Sequence, residues 1–521
     1  MAIPIHALSA VELRQKLDAG ELSSVEIVKA LHARADEVEP KVNAFAHQLR
    51  RTALKRAGEC DDARRRGDEL GPLHGVPLTI KESLDTVGIA STLGMRSRLG
   101  SPATRDSVVA QVVKEAGAIV VGKTNVPQTL LAPLESTNEL FGTTNNPWSL
   151  NHAPGGSSGG EGAAVAAGLS PMGIGTDIGG SVRAPAALCG VLGLKPTGDR
   201  WSNLGAASAI NGQEFIRTQT GPFARTTADL TLLMQVLNCR RQSELDPRVP
   251  PMAFDDPAEV DVTSLRVGFF EDDGFFTPAA SVRRAVREAV ALLEESGIEV
   301  VRYAPPNVEA IAFNYLRGIS ADGLATLDAA LGDEALIQPL RTMGRLARMP
   351  RRARAGLAKA LRLMGEERVP EMLNSLGEKD VATFWARTAE RNQHRIDEHR
   401  AWQRDGLDAL LTPTMITPAV PHGQSHDFTL SFVNMARYNY LDRPAGVVPI
   451  TRVRPDEIRR TGLRDRLEKR AAAIENESVG LPVGVQLVGR PWEESRLLAL
   501  MAHLEGLASK GELFPRTPVD P

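Results

Sequence analysis

One stretch limits what this chain can fold into more than any other: residues 155–197, which read GGSSGGEGAAVAAGLSPMGIGTDIGGSVRAPAALCGVLGLKPT. Two Gly/Ser clusters, Gly155-Gly156-Ser157-Ser158-Gly159-Gly160 and Gly179-Gly180-Ser181, bracket an Ala-rich, almost uncharged segment. Glycine at this density lets a backbone turn sharply and approach other groups, at a cost in conformational entropy. A flexible linker would be polar throughout. This stretch is mostly apolar and belongs in an interior. Buried glycine turns presenting serine hydroxyls fit the floor of a catalytic site. On the residues alone Ser181 is either a nucleophile beneath converging backbone N–H groups or a buried turn serine bonded to its own backbone.

The rest of the chain can build such an interior. Its 521 residues are 42% hydrophobic and 24% charged, the balance of a water-soluble globular protein. The formal net charge of −3 gives no global reason to expect nucleic acid as a partner. Cys60, Cys189 and Cys239 are odd in number and lack metal-ligand spacing, so a reduced, cytoplasmic setting without disulfides is expected. The opening MAIPIHALSAVELRQ lacks the basic and long apolar parts of a secretion signal. The least charged segment is the glycine-rich stretch, where Glu161, Asp177 and Arg183 argue against a bilayer span.

Within residues 1–70, Ser9 before AVELRQKLDAG, and Ser23 with Glu26 three positions on, predict two capped helices that serve as scaffold. From Pro72 short apolar runs alternate with helical patterns, as in HGVPLTIKES, DSVVAQVVKEAG and AIVVGKTN. The alternation returns in LRVGFF, a helix capped by Ser281, IEVVRY, LDALLTPT, PAGVVPI and GLPVGVQLVGR. This predicts an α/β fold layered on a largely parallel or mixed sheet. No repeat or linker divides it, so one domain over 1–521 is expected, with the catalytic core at 71–260 and the remainder of the core at 401–515. Residues 336–400 interrupt the strands with helices. Between Arg341 and Arg362 lie eight basic residues and no acidic one. Leu346, Met349, Ala353, Leu357, Leu361 and Met364 recur at steps of three or four, broken by Pro350. Two short basic amphipathic helices are expected, followed by a long exposed helix back to the core.

Two motif matches are rejected. GAIVVGKT, residues 117–124, satisfies the phosphate-loop pattern, but its β-branched centre is a strand and Pro127 spoils the helix start. GGSSG, residues 155–159, satisfies the nucleophile-elbow pattern, but the ten residues before it form a loop and not a strand.

A serine hydroxyl needs a base to take its proton. None of the ten histidines lies in either Gly/Ser cluster. A lysine can serve where burial favours its neutral form. Lys81 ends the apolar run Val76 to Ile80, where it is either such a base or an ordinary strand-end lysine. Cys189 lies in the run ALCGVLGL and reads as a small buried hydrophobe.

These motifs, with LHGVPLTIKE at 73–82 and GLPVGVQ at 480–486, resemble the amidase signature family over nearly the whole chain. The resemblance implies an α/β/α sandwich with a large mixed central sheet and a helical cap. It implies a Ser181 nucleophile, Ser157 as proton relay after a cis peptide bond, and Lys81 as base. It places the oxyanion hole on the amides of Ile178, Gly179, Gly180 and Ser181. Asp177 and Arg183 then brace the nucleophile loop, and Ser158 has a local hydrogen-bonding or acyl-contact role. No cofactor or metal is implied. YNYLDRPAGVVP at 438–449 and SVGLPVGVQ at 478–486 are most similar to the fatty acid amide hydrolase branch. That branch implies a small-molecule amide substrate with an apolar acyl or aryl group. It also implies peripheral contact of the basic helices, Arg341 to Met364, with an anionic membrane; the alternative is a hairpin packed on the core. Homodimerisation stays open. Substrate-pocket candidates are residues 128–134 and 434–440. The rival is the glutaminase-type component of a tRNA-dependent amidotransferase, disfavoured by Gly198-Asp199-Arg200-Trp201-Ser202.

Overall fold

The computed structural model describes residues 3–132, 134–428 and 430–521. Of the sequence readings, the first two residues of the N-terminal segment and Pro133 of the first pocket candidate lie outside the described residues. The N-terminal helices form as expected. Helix α1 (Ala10–Asp18) and helix α2 (Ser24–Val42) each begin with a complete capping box, Ser9 with Glu12 and Ser23 with Glu26.

The core is a mixed sheet of eleven strands. In chain order they are β1 (Phe45–Gln48), β2 (Pro77–Lys81), β3 (Ile119–Thr124), β4 (Met172–Asp177), β5 (Leu192–Lys195), β6 (Gln219–Ala224), β7 (Arg266–Phe269), β8 (Glu299–Arg302), β9 (Ala409–Pro413), β10 (Ala445–Arg452) and β11 (Pro482–Gly489). Across the sheet the order is 1-3-2-4-6-5-10-11-9-7-8. Strand β2 runs parallel to both β3 and β4, with Thr79 opposite Gly173 and Ile80 opposite Ile174. The carboxyl ends of β2 and β4 therefore emerge side by side, where open α/β sheets form ligand sites. Helix α3 (Gly159–Ala166) starts at the last two glycines of the first Gly/Ser cluster and helix α4 (Arg183–Cys189) after the second; both are fully buried. Their small side chains let them pack closely together and against the sheet.

Helix α5 (Ala280–Glu295) corrects the expected cap. Its N-cap is Ala279, and Ser281 sits inside the first turn, buried. Beyond it, α6 (Val308–Ile319) and α7 (Ala325–Leu331) lead to the basic helices α8 (Gln338–Arg348) and α9 (Arg351–Leu363), separated at Pro350. The apolar stripe is shifted from the predicted one. Leu346, Met349, Leu357 and Leu361 are half-buried and Met364 exposed, whereas Gly344, Ala347, Arg354 and Ala358 are interior. Arg354 turns inward: its Nη1 donates to the carbonyls of Ala347 (2.9 Å) and Met349 (3.0 Å) and ties the start of α9 to the end of α8, while α9 itself packs on the next helix, Arg368–Ser375. Helix α10 (Val381–Asp405) is not simply exposed either: Arg391, His394, Glu398 and Trp402 are buried along one face. Helix α11 (Val433–Tyr440) is buried throughout and lies over the β4–α4 turn.

Candidate active site

Strand β2 is buried at every position and delivers Lys81 to the interior with no exposed surface. Its Nζ donates to Ser157 Oγ at 2.8 Å and to Thr176 Oγ1 at 2.9 Å. Burial pushes the ammonium down to about 7, although Asp177, Glu161 and Glu82 pull it back upward. Near neutral pH this lysine is thus divided between its charged and neutral forms. Beneath it, Glu161 accepts from Thr79 Oγ1 (2.7 Å) and Thr124 Oγ1 (2.8 Å), and burial pushes its carboxyl up to about 8 against those bonds.

The Gly156–Ser157 peptide is cis. A Cβ on Gly156 would collide with the carbonyl oxygens of Ala132 and Glu135, so no larger residue fits there. Ser158 is wholly buried and staples the two Gly/Ser clusters together. Its N–H donates to the Ser181 carbonyl (3.2 Å), its Oγ donates to the Thr176 carbonyl (3.3 Å), and that Oγ accepts from the Thr176 N–H (3.4 Å). These bonds are all local to the two clusters and to β4 between them.

Ser181 sits in the turn between β4 and α4, which is fixed from beneath by Asp177. The Asp177 carboxylate accepts from the N–H groups of Gly180 (2.7 Å) and Val182 (3.1 Å). It also pairs with Arg183 through Nη2 (2.9 Å) and Nε (3.0 Å). Burial alone would raise the Asp177 carboxyl; Arg183, then Lys195 and Asn439, reverse that and hold it well below the usual carboxylate range. Asn439 donates to both the carbonyl and the carboxylate of Asp177, at 3.1 and 2.9 Å. Arg183 Nη1 donates to Gln486 Oε1 (2.6 Å) and to the Met435 carbonyl (2.9 Å). Asn439 and Gln486 were missed as braces by sequence reasoning, since nothing local marks residues that act across such separations.

The Gly180 amide, one of four expected oxyanion donors, is therefore already engaged by Asp177. Among the described residues nothing accepts from the amides of Ile178, Gly179 and Ser181. Ser157 and Ser181 line one cavity of about 40 Å³ together with Thr176 and Ile178, without a hydrogen bond between the two hydroxyls. The Cys189 thiol is pushed up by burial and donates to the Pro154 carbonyl at 3.4 Å, which leaves it outside this chemistry. Among the described residues no group of three or more His, Cys, Asp and Glu side chains is arranged to hold a metal ion.

From Ser181 a larger cavity of about 210 Å³ runs away from the sheet. Its far wall is Leu336 with Leu340, Met343, Gly344 and Ala347 of α8. Of the first pocket candidate, Thr129, Leu130, Leu131 and Ala132 line it, whereas Gln128 bonds Glu334 and Ala335 at the root of the cap. The second candidate, residues 434–440, does not line it; the wall there is Phe432.

The matched family model, Amidase, spans residues 26–498. Fatty-acid amide hydrolase 1 of Sus scrofa is 36% identical over 97% of this chain and 86% of its own length. One component of the glutamyl-tRNA(Gln) amidotransferase of Chloroflexus aggregans is 32% identical over 95% of each chain. A solved structure of a fatty acid amide hydrolase superposes with a TM-score of 0.86 at 30% identity, covering 97% of this chain and 85% of that one. With the lysine, the two serines and the mixed sheet in place, the chain belongs to the amidase signature family and is a hydrolase of amide C–N bonds.

Proposed function

We propose that the enzyme cleaves carboxylic amides bearing an apolar acyl or aryl group to the acid plus ammonia or an amine, through an acyl-enzyme on Ser181. In its neutral form Lys81 accepts the Ser157 proton while Ser157 accepts that of Ser181, and the Ser181 oxygen adds to the amide carbonyl. The carbonyl oxygen becomes negative and is met by the amides of Ile178, Gly179 and Ser181, with Gly180 holding the turn's shape. The proton returns through Ser157 to the nitrogen, the C–N bond breaks, and the amine departs. Water then repeats the addition and releases the acid. The two serine hydroxyls close to bonding distance when substrate fills the site, as catalytic contacts in unliganded sites often do.

The observation that carries this reading is the 2.8 Å bond from a buried, readily neutralised Lys81 to Ser157 beside Ser181. The apolar cavity supports the substrate class. The test is a panel of acyl amides of graded length against wild type and Ser181→Ala. A length optimum in the parent and no turnover in the variant are expected; turnover in both overturns the mechanism. The amidotransferase reading is supported by the identity to that enzyme's component. It requires a partner to receive ammonia, so hydrolysis of simple amides by the purified chain alone counts against it.

The same proposal extends to the cap. No helix among the described residues is long and apolar enough to cross a membrane. Leu363 and Met364, at the end of arginine-rich α9, are nonetheless exposed, as are Val381 and Trp385 at the start of α10, and an arginine-rich helix ending in exposed apolar side chains suits an anionic lipid surface.

A further inference from the structure

Helix α6 packs Tyr315 edge-on against Phe432, ring centroids 5.9 Å apart, at the wall shared by Ser181 and the apolar cavity. Its hydroxyl donates to the Ile178 carbonyl at 3.2 Å, the one hydrogen bond to that oxygen among the described residues. Burial, reinforced by Asp177, pushes the phenol far up, so it stays a protonated donor at any working pH. The Ile178 carbonyl and the Gly179 N–H belong to one planar trans peptide and point in opposite directions. A group that fixes the carbonyl end therefore fixes where the N–H end aims.

Neighbouring contacts make this link specific. A Cβ on Gly179 would lie 2.6 Å from the Tyr315 hydroxyl, so hydroxyl and glycine are fitted to each other. The next atoms, the ring carbon bearing that hydroxyl and a Phe432 ring carbon, stand at 3.4 and 3.7 Å and would tolerate a methyl group. Asp177 fixes the following peptide through the Gly180 N–H but does not reach the Ile178–Gly179 unit. That leaves this unit to Tyr315.

We propose that Tyr315 is a positioning residue for the oxyanion site: its hydroxyl holds the Ile178–Gly179 peptide so that the Gly179 N–H faces the oxygen that becomes negative when Ser181 adds. The inference rests on the acyl-transfer reading above. It separates Tyr315 from the apolar side chains of the far wall, Leu336, Leu340 and Met343, which carry no group that can bond this peptide.

The test compares wild type, Tyr315→Phe, Gly179→Ala and the double variant, with Ser181→Ala as background. Tyr315→Phe keeps the ring and its packing, which a melting curve verifies. Its kcat is expected to fall about 10-fold with KM within about 2-fold. Affinity for a trifluoromethyl ketone of the same acyl chain, which captures Ser181 as a tetrahedral oxyanion, is expected to fall in parallel. Gly179→Ala is expected to cost about 5-fold less in the Tyr315→Phe background, because the clash with the hydroxyl is gone. Unchanged kcat, a rise in KM alone, or an equal cost of Gly179→Ala in both backgrounds overturns the proposal while Ser181-dependent turnover persists. Turnover that survives Ser181→Ala overturns the acyl-transfer reading and this inference together.

Discussion

The β4–α4 turn and the α8–α9 pair both carry arginines, and they use them in opposite ways. At the turn, Arg183 has no exposed side-chain surface; it is paired with Asp177 and bonded to Asn439, Gln486 and the Met435 carbonyl. On the helix pair, Arg351 and Arg352 point into solvent, and Arg354 turns inward, onto carbonyls at the end of α8. A buried ion pair without alternatives holds one geometry, whereas a wall of leucines with Met343 admits several. On the proposed reading, the reacting atoms are held by charge and the acyl group by shape.

The harshest way to break this contrast is to remove a reacting group. Lys81→Ala and Ser181→Ala are each expected to lower kcat by about 10⁴-fold, measured by single-turnover kinetics with folding verified by circular dichroism. Next comes Arg183→Met, which strands the Asp177 carboxylate in the core and is expected to cost about 3–5 kcal/mol of stability in chemical denaturation. The same change at exposed Arg352 is expected to stay within about 0.5 kcal/mol. Equal costs at the two arginines would dissolve the distinction.

Acidity sharpens the comparison. Protonated Lys81 cannot accept a proton, so kcat/KM is expected to rise tenfold per pH unit below about 7 and level off above it. At pH 5 it should stand about 100-fold under the plateau. Arginine does not titrate in this range, so the acyl-length optimum should not move with pH. Smaller still, Gly344→Leu adds a side chain to the cavity wall of α8. It is expected to lower kcat/KM for long acyl amides about 10-fold and leave short ones unaffected. The smallest effect is at the surface: the single exchange Arg351→Gln should weaken sedimentation with anionic liposomes by about 1 kcal/mol.

What was legible in the sequence divides along the same line. Lys81, Ser157 and Ser181 sit in long local motifs, and the runs that carry them are strand ends and turns that periodicity reveals. The fold class followed from alternating apolar runs. Asn439, Gln486 and Tyr315 act on the β4–α4 turn from more than a hundred residues away, and no local pattern marks them. Gly180 was expected among the oxyanion donors because the family resemblance implies it. Only the placement of the Asp177 carboxylate shows its amide engaged. The inward turn of Arg354 was hidden for a related reason: it reads as a surface charge until a second helix supplies the carbonyls that draw it inward.

The bond from Arg183 to Gln486 joins positions 303 apart, and that has a bearing on the enzyme's birth. While a ribosome has yet to translate strand β11, the nascent polypeptide already contains its serine but lacks the strut that sets the guanidinium beneath it. The brace beneath the nucleophile turn is therefore completed only after strand β11 has been made.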